Sequence, residues 1–209
     1  MNTRAHWEHI YTTKNPTEMS WYRPHLERSL SIIAAVAPDR TAAIIDIGAG
    51  ESSLIDDLLK QGYRNLTVLE ISRQAMVTPR KRLGDRAAAV RWLAADVTQA
   101  ELAPFSYDLW HDRAVFHFLT RPEQRTAYLS RLTRALKPGG HVVISTFGPE
   151  GPTKCSGLAV IRYSAETLQA EFGPRFRLVD SFIDTHSTPS GIAQQFLCCS
   201  FRLQASQGR

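Results

Sequence analysis

Between residues 43 and 147, five short apolar runs are separated by stretches of helix length, and no other feature of the 209-residue sequence restricts the fold as tightly. The runs at 43–47, 66–70, 90–94, 107–111 and 141–147 read as strands. Residues 52–61 carry Leu54, Ile55, Leu58 and Leu59 at helical spacing and stop at Gly62. A second helix is predicted over 73–83, kinked or shortened by Pro79. The clearest helix, 122–136, starts on a proline, and Lys137-Pro138-Gly139-Gly140 ends it and turns the chain into the fifth strand. Strands alternating with helices predict a mostly parallel sheet covered on both faces.

Past Phe147 come a Gly/Pro-punctuated loop (148–157), a short helix (164–172) and two strands in succession (176–184 and 194–203). The expected fold is therefore α/β: a Rossmann-like, doubly wound seven-stranded sheet, mostly parallel, with an antiparallel C-terminal hairpin strand. One domain is expected over 1–209, with an aromatic lid and a helix (25–36) in residues 1–40 and the core in 41–209. The 43% hydrophobic and 22% charged content is that of a globular chain, which excludes disordered and collagen-like classes.

The strongest local signal is Ile44-Ile45-Asp46-Ile47-Gly48-Ala49-Gly50-Glu51-Ser52-Ser53, an apolar strand running into a glycine turn that opens a helix. A dinucleotide would place its pyrophosphate against this turn, where Asp46 and Glu51 would repel it, and the third glycine of that fingerprint is replaced by Ser53. A cationic ligand suits the turn better. S-adenosylmethionine carries a sulfonium and an ammonium group. Glu70, at the end of the second strand, can accept from both ribose hydroxyls, and Asp96, after the third, can accept from the adenine amine while Val97 covers the ring.

In these features the sequence resembles the class I S-adenosylmethionine-dependent methyltransferases. The residues that carry the resemblance are Asp46-Ile47-Gly48-Ala49-Gly50, Glu70, Asp96-Val97, Tyr107-Asp108-Leu109-Trp110-His111-Asp112 and Leu136-Lys137-Pro138-Gly139-Gly140. The superfamily's usual further glycine, two residues after Gly50, is Ser52 here. Trp7-Glu8-His9-Ile10-Tyr11 and Ser20-Trp21-Tyr22 also look like the opening of a subgroup that includes protein-lysine methyltransferases and uncharacterised bacterial members. Where those lysine enzymes carry an Asp-Lys-Gly-Thr type sequence, this chain has Asp112-Arg113-Ala114-Val115-Phe116-His117.

The resemblance implies S-adenosylmethionine as cofactor, in contact with Trp21, Asp46, Gly48, Ala49, Gly50, Glu70, Ile71, Asp96, Val97 and Asp112. Methyl transfer needs a positioned nucleophile and, where the acceptor is protonated, a base. Asp112 and His117 are the candidates for that chemistry, Asp112 equally as a holder of cofactor or of Arg113. Trp21, Tyr22, Arg113, His117, Cys155, Arg162 and His186 are expected around the acceptor. Trp7, Tyr11, Trp21 and Tyr22 are expected to anchor the leading segment and to exclude water as a lid.

A small-molecule acceptor is expected, with a thiol or another soft nucleophile ahead of oxygen and nitrogen; a protein lysine is the alternative, and a non-catalytic S-adenosylmethionine-binding regulatory protein the third reading. The net charge of +5 leaves nucleic acid open, but the basic residues gather at 73–91 while the cleft is acidic, so no nucleic-acid partner is expected. Three cysteines without a CxxC pair predict neither a disulfide scaffold nor a metal site. A polar, aromatic opening segment and the lack of a long apolar run predict a cytoplasmic location and no membrane partner. The sequence sets no oligomeric state.

Overall fold

The computed structural model describes residues 3–205. β1 (Ala43–Ile47), β2 (Asn65–Glu70), β3 (Val90–Ala94), β4 (Tyr107–Arg113) and β5 (Leu136–Phe147) are followed by two short strands, β6 (Lys154–Cys155) and β7 (Leu158–Ala159), which pair with each other. β8 (Phe176–Ser187) and β9 (Ala193–Leu203) then complete a seven-stranded sheet of order β3-β2-β1-β4-β5-β9-β8. The five strands from β1 to β5 pair in parallel, and β9 lies antiparallel between β5 and β8. The predicted α/β doubly wound sheet with its reversed hairpin is the fold observed.

β1 is buried on both faces, which is why it reads as an apolar run interrupted only by Asp46. Neighbours alternate sides: Ile44 feeds one core with Leu54, Leu58 and Leu83, while Ile45 feeds the other with Trp110, Tyr128 and Phe172. α2 (Glu27–Val36), α3 (Leu54–Lys60) and α4 (Val77–Leu83) pack on the first face, and α5 (Pro122–Ala135) and α6 (Ala165–Phe172) on the second. Pro79 kinks nothing, because α4 begins only at Val77 and the proline falls in its first turn, where a missing N–H is harmless. Ser164 caps α6 by accepting from the Thr167 N–H.

Two segments depart from the sequence reading. Residues 137–140 are the start of β5: Leu136 already pairs with Tyr107, and a register irregularity follows. The leading segment contains a helix, α1 (Thr3–Thr13), that sequence periodicity did not indicate. It has only Ile10 buried, so its stability comes from what it docks against. The chain winds outward from β1 to β3 and then returns to β4 on the other side of β1, and this reversal opens a crevice at the carboxyl ends of the strands.

Candidate functional site

A cavity of about 720 Å³ occupies that crevice, within the range of sites that enclose a drug-sized ligand. Its first half is built from the ends of β1, β2 and β3. Gly48 turns the chain at φ +59, and its N–H donates to the Leu69 carbonyl at 2.7 Å. A Cβ there would run into Val115, so the close approach of the two loops requires glycine. Asp46 is 2% exposed; its Oδ1 lies 2.7 Å from Nδ1 of His111, whose Nε2 lies 2.9 Å from Ser29 Oγ. The carboxylate oxygen can only accept, so Nδ1 of His111 carries the proton.

Asp46 Oδ2 has no donor among the described residues, although it is buried. Glu51 presents the same feature: Oε1 accepts from the Thr78 hydroxyl, and Oε2 is buried without a donor. Burial raises the Glu51 pKa above the ordinary value. Glu70, at the end of β2, accepts from the Gly50 N–H and the Ser72 N–H, both at 2.9 Å. Burial pushes its pKa up to about 7 against the pull of those hydrogen bonds. Asp96 faces the cavity with Val97, its Oδ1 accepting from the backbone N–H and hydroxyl of Thr98.

The mouth is covered by the leading segment. Glu8 on α1 accepts from the N–H groups of Arg73 and Gln74 and from the Ser72 hydroxyl, capping the turn that enters α4. Against the effect of burial, these hydrogen bonds hold the Glu8 carboxyl below its usual pKa. Trp7 packs edge-on against Trp21 and Phe118, and Tyr11 against Trp21. Trp7, Tyr11, Trp21 and Phe118 all line the cavity.

The second half lies beyond β4, β5 and β9 and has a different character. Among the described residues, every carboxylate on the cavity wall belongs to the first half: Asp46, Glu51, Glu70 and Asp96. The far wall carries Arg23, Arg113 and Arg121 with Tyr22, Phe147 and Phe196. Arg23 is neutralised by Asp184 at 2.9 Å, and its Nε donates to Nδ1 of His186 at 3.0 Å. Arg113 donates to the Trp21 carbonyl at 3.0 Å and stacks over Phe196. No carboxylate among the described residues lies within ion-pairing distance of Arg113. Burial, then the neighbouring Arg23, lower its pKa to about 10, so it remains a cation.

The structure brings Trp21, Asp46, Gly48, Ala49, Glu70, Ile71, Asp96 and Val97 onto one wall, and Tyr22, Arg113 and Cys155 onto the other. Five expected residues are elsewhere. Asp112 is 0% exposed and faces the core, where Oδ2 accepts from the Tyr128 hydroxyl at 2.7 Å and Oδ1 from the Val115 N–H at 2.9 Å. Its role is to hold the turn after β4, where Ala114 adopts φ 68; it does not contact the cavity. His117 is equally enclosed: Nδ1 accepts from the Phe147 N–H, and burial drives its pKa down to about 3. With that lone pair engaged, His117 is a packing residue and no base.

Arg162 donates to the Gly151 carbonyl off the cavity, and His186 sits behind the wall, bonded to Ser20 and Arg23. Gly50 lies beneath Tyr11, where a Cβ would meet the hydroxyl at 2.5 Å; it serves Glu70 and not the wall. Cys155 is on the wall, but burial pushes its thiol up to about 11, so it is no thiolate. Glu51, placed by the sequence beside the glycine turn, is on the wall, and so are His111, Thr98 and Val115, which the sequence does not assign to it; their position next to the strand ends is the available signal.

Among the described residues, no group of three or more His, Cys, Asp and Glu side chains could hold a metal ion, and no helix is long and apolar enough to cross a membrane. Residues 45–142 match a family model described as a methyltransferase domain. The malonyl-[acyl-carrier protein] O-methyltransferase of Paenibacillus sp. (strain JDR-2) is 34% identical over 110 residues, 51% of this chain and 39% of that protein. The chain spans 19% to 56% of the length of the first curated relatives it matches.

Among solved structures, one from work on converting a disulfide bond into a thioacetal group during echinomycin biosynthesis superposes with a TM-score of 0.77 at 16% identity, covering 97% of this chain and 92% of that one. The 1,6-didemethyltoxoflavin-N1-methyltransferase of Burkholderia thailandensis, solved with 1,6-didemethyltoxoflavin and S-adenosylhomocysteine bound, superposes with a TM-score of 0.70 at 21% identity, covering 97% and 87%. Both share the fold.

Proposed function

The chain belongs to the class I S-adenosylmethionine-dependent methyltransferase superfamily, and on that premise we propose that it transfers the methyl group of S-adenosylmethionine to a small-molecule acceptor. The observation that carries this reading is the cavity's division: four carboxylates beyond the ends of three strands, of which Asp46 and Glu51 each have a buried oxygen lacking a donor, opposite an aromatic wall with no carboxylate among the described residues. S-adenosylmethionine fits the first half, because its ammonium and hydroxyl groups supply donors where Asp46 Oδ2 and Glu51 Oε2 have none. Glu70 would hold the ribose and Asp96 with Val97 the adenine.

When bound, the cofactor supplies an activated methyl carbon, to which the acceptor's lone pair bonds as the carbon–sulfur bond breaks and its electron pair passes to sulfur. The chain's own residues bind, orient and exclude water. Trp7, Tyr11 and Trp21 cover the mouth as a lid, which shields the developing change of charge from solvent. Among the described residues the far wall supplies no carboxylate, and both ring nitrogens of His111 are engaged. The reading is therefore an acceptor atom that is nucleophilic without help from a base, as in an acidic thiol or another preformed anion.

A lysine ammonium fits the far wall poorly, since Arg113, which has no carboxylate partner among the described residues, would repel it. The test is S-adenosylhomocysteine release with thiols, carboxylates, phenols, amines and a cell-protein extract as acceptors. Turnover with small anionic acceptors is expected. Turnover with the protein extract alone would contradict the small-molecule reading in favour of lysine. Cofactor binding with no turnover on any acceptor would favour a binding-only protein.

A further inference from the structure

Resting on the methyltransferase reading, we infer that the acceptor is an organic carboxylate with an apolar body, and that Arg113 is the residue that recognises its charge. The three arginines of the far wall are not equivalent. Arg23 already has its counter-ion in Asp184 and a second partner in His186. Arg121 is exposed at the rim, where water screens it. Arg113 is set inside the cavity, and the protein gives it one backbone carbonyl, from Trp21, and an aromatic face, from Phe196.

A guanidinium has five N–H donors, and a single hydrogen-bond partner among the described residues leaves most of them for a ligand. An unpaired cation in a partly desolvated site is held at a cost that an anionic ligand relieves. The fork geometry of the guanidinium matches a carboxylate through two parallel hydrogen bonds.

The neighbours of Arg113 set the charge and shape of the ligand. A single free guanidinium next to a neutralised one balances a monoanion better than a phosphate dianion. Trp21, Phe118, Phe147 and Phe196 surround the approach to Arg113, so the group bearing the charge is expected to carry an aromatic or aliphatic body. The turn that presents Arg113 is braced from behind: Asp112 accepts from the N–H groups of Val115 and Phe116, and Ala114 is held at φ 68 between them. Non-glycine backbone in that region persists where the surroundings enforce it, which marks a turn built to place a side chain.

The test uses three probes with one body: 3-phenylpropanoate, 3-phenylpropanol and 3-phenylpropylamine. Binding is read from the fluorescence of the cavity tryptophans, with and without S-adenosylhomocysteine, in the wild type, Arg113→Met and Arg113→Lys. The wild type is expected to bind the carboxylate at least about tenfold tighter than the alcohol and the amine. Arg113→Met should lose that preference, and Arg113→Lys should keep part of it, with S-adenosylhomocysteine affinity unchanged within about twofold.

Equal affinities, a preference for the amine, no carboxylate binding at millimolar concentration, or a preference that survives in Arg113→Met each overturn the assignment. If Arg113→Met does not fold, an undiminished preference in Arg113→Lys, whose ammonium lacks the fork, overturns the fork-based recognition. A wild type that prefers the carboxylate yet ignores S-adenosylhomocysteine would sink the methyl-transfer reading and leave Arg113 as an anion site.

Discussion

Glu8 Oε2 accepts the Ser72 hydroxyl at 2.8 Å, tying the leading helix to the same turn whose backbone holds Glu70. Because Glu8 also accepts from the Arg73 and Gln74 N–H groups, it acts as a cap supplied from a distant part of the chain. The cover over the cavity and the proposed ribose-binding acid are thus fastened at one point.

Glu8→Ala should cost about 1 kcal/mol of stability, as loss of a capping carboxylate does. It should also speed cofactor dissociation, because α1 carries Trp7 and Tyr11 over the mouth. Stopped-flow tryptophan fluorescence during displacement of S-adenosylhomocysteine measures this. An unchanged off-rate would show that α1 does not act as a lid.

Glu70 predicts opposite pH trends for binding and for stability. Its pKa in the fold, about 7, exceeds its ordinary value of 4.5, so the folded protein takes up a proton between these values before the unfolded chain does. The contribution of Glu70 to the stability of the cofactor-free protein therefore falls as pH rises from 4.5 to about 7. Cofactor affinity should instead weaken as pH falls below about 7, since a protonated carboxyl is a poorer acceptor for ribose hydroxyls. Thermal melts and calorimetric titrations, each compared with Glu70→Ala, isolate both trends; parallel trends would contradict the placement.

Asp112 tests the line between chemistry and packing. Tyr128→Phe removes the hydroxyl that donates to Asp112 Oδ2 and to which the Trp110 indole N–H donates. Leaving these buried groups unpaired should destabilise the fold by about 1–3 kcal/mol. Tyr128 does not line the cavity, so the affinity for S-adenosylmethionine should hold. A variant of full stability with weakened cofactor binding would return Asp112 to the cofactor site.

Much of this architecture was legible in the chain. Ile44, Ile45 and Ile47 are buried on both sides of the sheet, so β1 announces itself as an apolar run, and Glu70 and Asp96 follow at strand ends because the sheet ends there. α1 was not legible: Glu8 meets its partners at 72–74, more than sixty residues away, and no local pattern encodes that contact. Neither were the separate fates of Asp112 and Arg113. Adjacent strand residues point to opposite sides, but which one enters the core depends on register and on Tyr128 from α5.

The central claim is that the acidic half of the cavity binds S-adenosylmethionine through Glu70. Isothermal titration of the wild type, Glu70→Ala and Cys155→Ala with S-adenosylmethionine, and of the wild type with NADH, tests it most directly. Binding of one S-adenosylmethionine per chain, lost or weakened about tenfold or more in Glu70→Ala, little changed in Cys155→Ala and absent for NADH, is the predicted result. No heat with S-adenosylmethionine, or equal losses in the two variants, would contradict it.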